Sequence, residues 1–182
     1  MKEDMPTQGL DEAVVVWFTG LSAAGKSTLA EALAQSVRAH GRKVEVLDGD
    51  AVREHLSRCL GFSRADRDTN IMRIAFVARL LARHGVFVIV AAISPFREAR
   101  DKARATIGKF FEIHVSTPLI ECIKRDPKGL YSRARAGDIP HFTGISDPYE
   151  EPLAAELSLD TRVPIEESVA RILSGLRAKG YY

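Results

Sequence analysis

A chain of 182 residues, 46% of them hydrophobic, is long enough to bury a sizeable core and fits a single α/β domain spanning residues 1–182. Its 26 basic and 24 acidic side chains nearly cancel to a formal +2 and are scattered rather than blocked, which argues against a nucleic-acid coat and leaves charge to be read locally. The longest apolar run, 86–93, is too short to cross a bilayer, and residues 1–12 carry charge without an apolar segment, so they read as a short flexible leader on a soluble, cytoplasmic protein.

The first strand is expected over Val14–Phe18, an unbroken apolar, β-branched run of the kind found in parallel strands covered on both faces. It leads directly into Gly20-Leu21-Ser22-Ala23-Ala24-Gly25-Lys26-Ser27, a full G-x-x-x-x-G-K-[ST], with Thr28 opening the helix-like TLAEALAQSV. Glycines allow a tight turn whose successive N–H groups meet phosphate oxygens at the positive end of the following helix. Lys26 adds a mobile cation for the β and γ phosphates of ATP, and Ser27 places a hydroxyl where Mg²⁺ needs an oxygen ligand. The helix is expected to stop near His40-Gly41.

A second strand over 43–47 ends in Asp48-Gly49-Asp50, two carboxylates at the carboxyl end of a strand, where ligands collect in open α/β sheets. Either acid could also cap the short helix expected from Ala51. A long amphipathic helix follows, with Ser63 or Asp66 at its start, an apolar stripe through Ile71, Ile74, Ala75 and Ala78, and Arg67, Asn70 and Arg73 along one side. The third strand covers 86–93, and Ser94-Pro95 is read as an N-cap with proline at the first helical position. A fourth strand at 110–115 is followed by the same device at Thr117-Pro118 and a helix over 119–125. Residues 126–152 are polar, proline-bearing and irregular, a candidate lid or substrate loop. Strand five at 156–159 and a helix over 164–179 close the chain. The alternation predicts a five-stranded parallel sheet with helices on both faces.

The remaining residues choose among P-loop classes. The third strand ends in Ser94-Pro95 with no carboxylate, the acids sit at Asp48 and Asp50 instead, and no guanine-reading N-K-x-D occurs. That pattern suits a small-molecule kinase, in which an acid near the γ phosphate can orient an acceptor hydroxyl and help hold the metal. Cys59 and Cys122, far apart and without a paired motif, are expected as reduced thiols used in packing, and the five histidines show no metal-ligand spacing.

The order GLSAAGKS, DGD followed by Arg53, LGFS..DR..NI.RI, ISPFR, KGLY..ARAG and FTG..DPYE.P resembles adenylylsulfate kinase (APS kinase) over roughly residues 14–175. The resemblance implies transfer of the ATP γ-phosphoryl group to the 3′-hydroxyl of adenosine 5′-phosphosulfate (APS), giving PAPS and ADP in sulfate assimilation, by a homodimer that uses Mg²⁺. It makes Asp50 the acid beside the acceptor hydroxyl and a metal partner with Ser27. Arg53, Arg67 and Asn70 would hold the phosphosulfate and ribose, Phe62 and Phe142 would stack on the substrate adenine, with His141 adjoining, and Ile93 and Ser94 would border the pocket. Lys128 would close over the phosphates from the lid, and Arg125 with the turn around Thr161 would face the ATP adenine. Ser94 is open between a phosphorylated catalytic serine and a capping, pocket-lining one, since in-line transfer requires no covalent intermediate. Against the family pattern, Ala51 replaces asparagine, Glu54-His55 replaces a pair that commonly ends in glycine, and Ser146 replaces aspartate.

Overall fold

The computed structural model describes residues 12–182. Five strands, β1 (Val15–Thr19), β2 (Val44–Asp48), β3 (Phe87–Ala91), β4 (Phe110–Val115) and β5 (Leu157–Leu159), form one sheet in the order β2-β3-β1-β4-β5. Every pairing is parallel. β1 and β3 are buried at every position, which explains why their sequences run apolar without alternation.

The helices are α1 (Lys26–Ala39), α2 (Gly49–His55), α3 (Arg64–Ala82), α4 (Arg97–Ile107), α5 (Leu119–Arg125), α6 (Leu130–Arg135) and α7 (Ile165–Ala178). One core layer joins Leu29, Leu33 and Val37 of α1 and Ile172 and Leu176 of α7 to Val16, Phe18 and Ile113 of the sheet. The opposite layer packs Ile71, Ile74 and Ala78 of α3 and Ala99 and Ala103 of α4 on Val15, Trp17, Val88 and Val90. Alternate residues of each central strand thus enter opposite layers, which is why a single strand needs to be apolar throughout.

Several local expectations are corrected. α4 starts at Arg97 with Phe96 as its N-cap, so Ser94 does not cap it; Ser94 instead adopts φ 43 and is 1% exposed. α5 has Pro118 as its N-cap, and the Thr117 hydroxyl is directed elsewhere. α2 begins at Gly49, with the Asp48 carboxylate accepting from the Asp50 N–H as its cap. The polar stretch 126–152 is not wholly irregular, since it contains α6. Of the cysteines only Cys122 is buried; Cys59 is exposed, its Sγ 3.6 Å from Arg73 Nη1. The leader expected over 1–12 lies outside the described residues except for Glu12, whose carbonyl accepts from Lys109 Nζ at 2.8 Å.

Strand order places the site. The chain leaves β1 towards β2 on one side and leaves β4 towards β5 on the other, so a crevice opens at the carboxyl ends of β1 and β4. The loop 20–25 lies in it.

Candidate active site

The phosphate loop is held in shape from outside. Gly20 has φ 150, and a Cβ there would stand 2.6 Å from the Val115 carbonyl oxygen of β4; Gly25 has φ 103, and a Cβ there would meet the Thr161 side chain at 2.9 Å. Ala23 takes the left-handed region at φ 58 despite its side chain, a strain that persists only where the surroundings over-determine the backbone. They do so here. The Ala24 carbonyl accepts from the Thr117 hydroxyl at 2.9 Å and the Thr161 hydroxyl at 2.8 Å. Arg125 donates to Thr161 Oγ1 at 2.7 Å and to its carbonyl at 3.3 Å. A trans peptide sends a carbonyl and the next N–H in opposite directions, so anchoring the Ala24 carbonyl outward turns the Gly25 N–H to the other side of the loop.

Lys26 is buried and folds back on the loop, donating to the Gly20 carbonyl at 3.0 Å and the Leu21 carbonyl at 2.7 Å. Burial pulls its pKa from 10.5 down to about 8, against the opposing pull of Asp48 and Asp50. Ser27 and Thr28 are exposed at the helix start. The Ser27 hydroxyl donates to Asp48 Oδ2 at 2.7 Å, so the carboxylate in contact with it is Asp48 and not Asp50. Hydroxyl and carboxylate oxygens are the hard donors that Mg²⁺ prefers, and a site with few protein ligands suits an ion that keeps most of its water. The donor set therefore fits Mg²⁺ at Ser27, with Asp48 beside it and Asp50 two residues further on. Among the described residues no group of three or more His, Cys, Asp and Glu side chains could form a metal cage.

Asp50 is exposed and pairs with Lys128, which joins the first turn of α2 to the 126–152 segment. Asp50 raises the Lys128 pKa through this hydrogen bond.

On the other side of the cleft, Arg53 donates to the Gly61 carbonyl at 2.7 Å and lies 4.3 Å from the centroid of the Phe62 ring, which is 55% exposed. Arg67 and Asn70 are not a solvated helix face, since both are more than nine-tenths buried. The Arg67 guanidinium donates to the Phe62 carbonyl at 2.8 Å, to the Thr143 hydroxyl and the His141 carbonyl, and pairs with Asp147 at 3.2 Å. Arg67 thus clamps the 141–147 loop to the start of α3. Asn70 Oδ1 is buried and has no hydrogen-bond partner among the described residues. Phe142 is buried, its ring edge-on to Tyr131 at 5.1 Å, so it is part of the core as well as of the loop. Its N–H donates to the Ser146 hydroxyl at 2.8 Å, so the serine that replaces the family's aspartate still serves the loop. His141 is exposed with φ 57, and its Nδ1 lies 3.3 Å from Asp147 Oδ1.

Ser94 is sealed behind the cleft. Its hydroxyl accepts from Trp17 Nε1 at 3.0 Å and donates to the Ala92 carbonyl at 3.2 Å. Its carbonyl accepts from Arg100 at 2.6 Å, and the adjacent Ile93 carbonyl accepts from Thr19 at 2.8 Å. A hydroxyl committed in this way has no base in contact with it, which argues against a nucleophilic role.

Three residues that received no individual site role from the sequence hold these loops in place: Thr117, read there as a cap, and Tyr131 and Asp147, which stand there only inside the KGLY and DPYE motifs.

A phosphate loop at the β1–β4 divergence, with Asp48 ending the second strand and Asp50 in the first turn of α2, defines a P-loop small-molecule kinase. Within that class, the family described as adenylylsulphate kinase matches residues 12–160. The adenylyl-sulfate kinase of Gloeothece citriformis is 57% identical over 169 residues, covering 92% of this chain and 96% of its own. The chain belongs to the adenylylsulphate kinase family. Among solved structures, the APS kinase CysC of Mycobacterium tuberculosis in complex with AMPPNP and APS has a TM-score of 0.88 at 45% identity, over 91% of this chain and 98% of its own. A hexameric APS kinase from Thiobacillus denitrificans has a TM-score of 0.71 at 40% identity, over 94% of this chain and 30% of that one.

Proposed function

We propose that this protein phosphorylates the 3′-hydroxyl of APS with ATP, giving PAPS and ADP. The observation that carries the reading is the run of contacts from Ser27 to Asp48, from Asp48 to the Asp50 N–H, and from Asp50 to Lys128. It joins the phosphate loop, the acid for the acceptor and the lid cation in one cleft, in a chain similar to a kinase solved with AMPPNP and APS.

In this reading the N–H groups of the 20–28 segment and Lys26 hold the ATP phosphates, and Arg125 with the Thr161 turn borders the ATP base. Asp50 accepts the proton of the acceptor hydroxyl as the oxygen attacks phosphorus in line and ADP departs. Arg53, Arg67 and Asn70 receive the phosphosulfate and ribose, Phe62 and Phe142 the adenine, and Ile93, Ser94 and His141 border that pocket. Fixed guanidinium groups and aromatic faces are what a doubly anionic, adenine-bearing acceptor needs. Lys128 exchanges Asp50 for phosphate oxygens as the lid seats. Mg²⁺ at Ser27 and Asp50, with Asp48 adjoining, would supply charge neutralisation between the β and γ phosphates. A homodimer in the cytoplasm completes the proposal; the described residues contain no helix long and apolar enough to cross a membrane.

The test is to mix protein, Mg²⁺, ATP and APS and assay PAPS and ADP by chromatography. Stoichiometric product with the native chain, and a fall in kcat of about 10²–10⁴ in Asp50→Asn with AMPPNP binding retained, is expected. ATP turnover with other acceptors but not with APS would refute it.

A further inference from the structure

The geometry points to Tyr131 as a positioning residue shared by both nucleotide sites: its hydroxyl sets the phosphate loop, and its ring sets the aromatic wall of the acceptor pocket. Tyr131 lies in α6, inside the segment that carries the lid lysine, yet it is 1% exposed. Its hydroxyl donates to the Ser22 carbonyl at 3.0 Å, reaching across 109 positions of sequence to the outer surface of the phosphate loop. By the same trans-peptide geometry that applies at Ala24, a Ser22 carbonyl held outward turns the Ala23 N–H to the opposite side, and Ala23 is the residue at φ 58. Besides Lys26 and Arg125, three hydroxyls anchor carbonyls of this loop, those of Thr117 and Thr161 on Ala24 and that of Tyr131 on Ser22, and of the three only Tyr131 sits on the 126–152 segment.

The other end of the side chain is equally committed. The Tyr131 ring meets Phe142 edge-on, with centroids 5.1 Å apart and planes at 80°, a geometry in which a ring edge contacts a ring face. The backbone of Tyr131 is fixed as well, because the Tyr131 and Ser132 N–H groups donate to the Asp126 carboxylate at 3.1 and 3.0 Å. Burial raises the phenol's pKa, so the hydroxyl remains a donor throughout the neutral range. A single rigid side chain thus touches the ATP cradle with one end and the 141–147 loop with the other. The second half of this inference rests on the assignment of Phe142 to the acceptor pocket under the proposed function.

The experiment uses the full chain and three proteins: native, Tyr131→Phe and Tyr131→Leu. AMPPNP with Mg²⁺ is titrated calorimetrically, KM is measured separately for ATP and for APS, and the unfolding midpoint is recorded. Tyr131→Phe keeps the ring and deletes the anchor. It is expected to weaken AMPPNP binding and raise KM for ATP about three- to tenfold, the range for one lost hydrogen bond, with KM for APS within about twofold of native. Tyr131→Leu is expected to add a rise in KM for APS of similar size. AMPPNP affinity unchanged in Tyr131→Phe, or a lowered midpoint with both KM values unchanged in both variants, would overturn the proposal. If the native chain makes no PAPS from APS, the acceptor assignment and the ring half fall together, and the AMPPNP titration still decides the hydroxyl half.

Discussion

Lys26 holds a charge in a place built for its partner. With its pKa lowered to about 8, the folded chain binds this proton more weakly than the unfolded chain, whose lysine titrates near 10.5. The sign follows: stability rises with pH between those two values, because the cost of burying the ammonium is present below about 8 and is relieved above it. Polyphosphate oxygens beside Nζ favour the ammonium and raise its pKa again. Binding of AMPPNP with Mg²⁺ is therefore expected to take up a proton, with uptake increasing from about pH 7 to about pH 9 and absent in Lys26→Met. Calorimetry in buffers of different ionisation enthalpy measures it; uptake that is flat over this window would contradict the account. Asp48 belongs to the same scale, since one carboxylate caps α2 with one oxygen and holds Ser27 with the other.

Among elements, the start of α3 and the 141–147 loop form a unit. Arg67 supplies the fork, and Asp147 supplies the charge that holds it, at 9% and 19% side-chain exposure, low enough that water screens the pair weakly. Asp147 has no place among the proposed substrate contacts, so truncating it tests positioning alone. Asp147→Ala is expected to raise KM for APS about tenfold while KM for ATP stays within about twofold, in steady-state assays varying each nucleotide in turn. Equal rises in both would mean that the loop serves the whole cleft.

At the scale of the molecule, a charged network fastens the end of the 126–152 segment to the sheet. Arg100 of α4 is 2% exposed and pairs with Glu112 of β4 at 2.9 Å, while donating to the carbonyls of Ser94 and Glu150 at 2.6 Å each. Arg104, one turn on, bridges Glu112 at 3.2 Å and Glu156 at 2.6 Å. Removing one member of a buried pair strands the other. Arg100→Met is expected to lower stability by about 3–5 kcal/mol, read by urea or thermal unfolding, and a loss under 1 kcal/mol would show that Arg104 alone satisfies Glu112.

The five strands, the phosphate loop and the family were legible in the residues because each shows in contiguous runs of sequence, whereas the order β2-β3-β1-β4-β5 was not. A glycine loop between an apolar strand and a helix is one contiguous device, and its amides, lysine and serine arrive together. Caps were less legible, because a cap forms only if nothing else captures the side chain. Ser94 had the right neighbours, but Trp17, 77 positions away, holds its hydroxyl. The partners of Ala24 and Ser22, namely Thr161 at 137 positions and Tyr131 at 109, have no local signature. A threonine in a turn and a tyrosine in a short helix look alike whether they are idle or anchoring. The linear chain therefore determined which chemistry is available, through motifs whose parts are adjacent; the tertiary packing that brings the segments after β4 and β5 against the phosphate loop decided which hydroxyls hold that chemistry in place, since only crossover connections bring such distant groups within hydrogen-bonding reach.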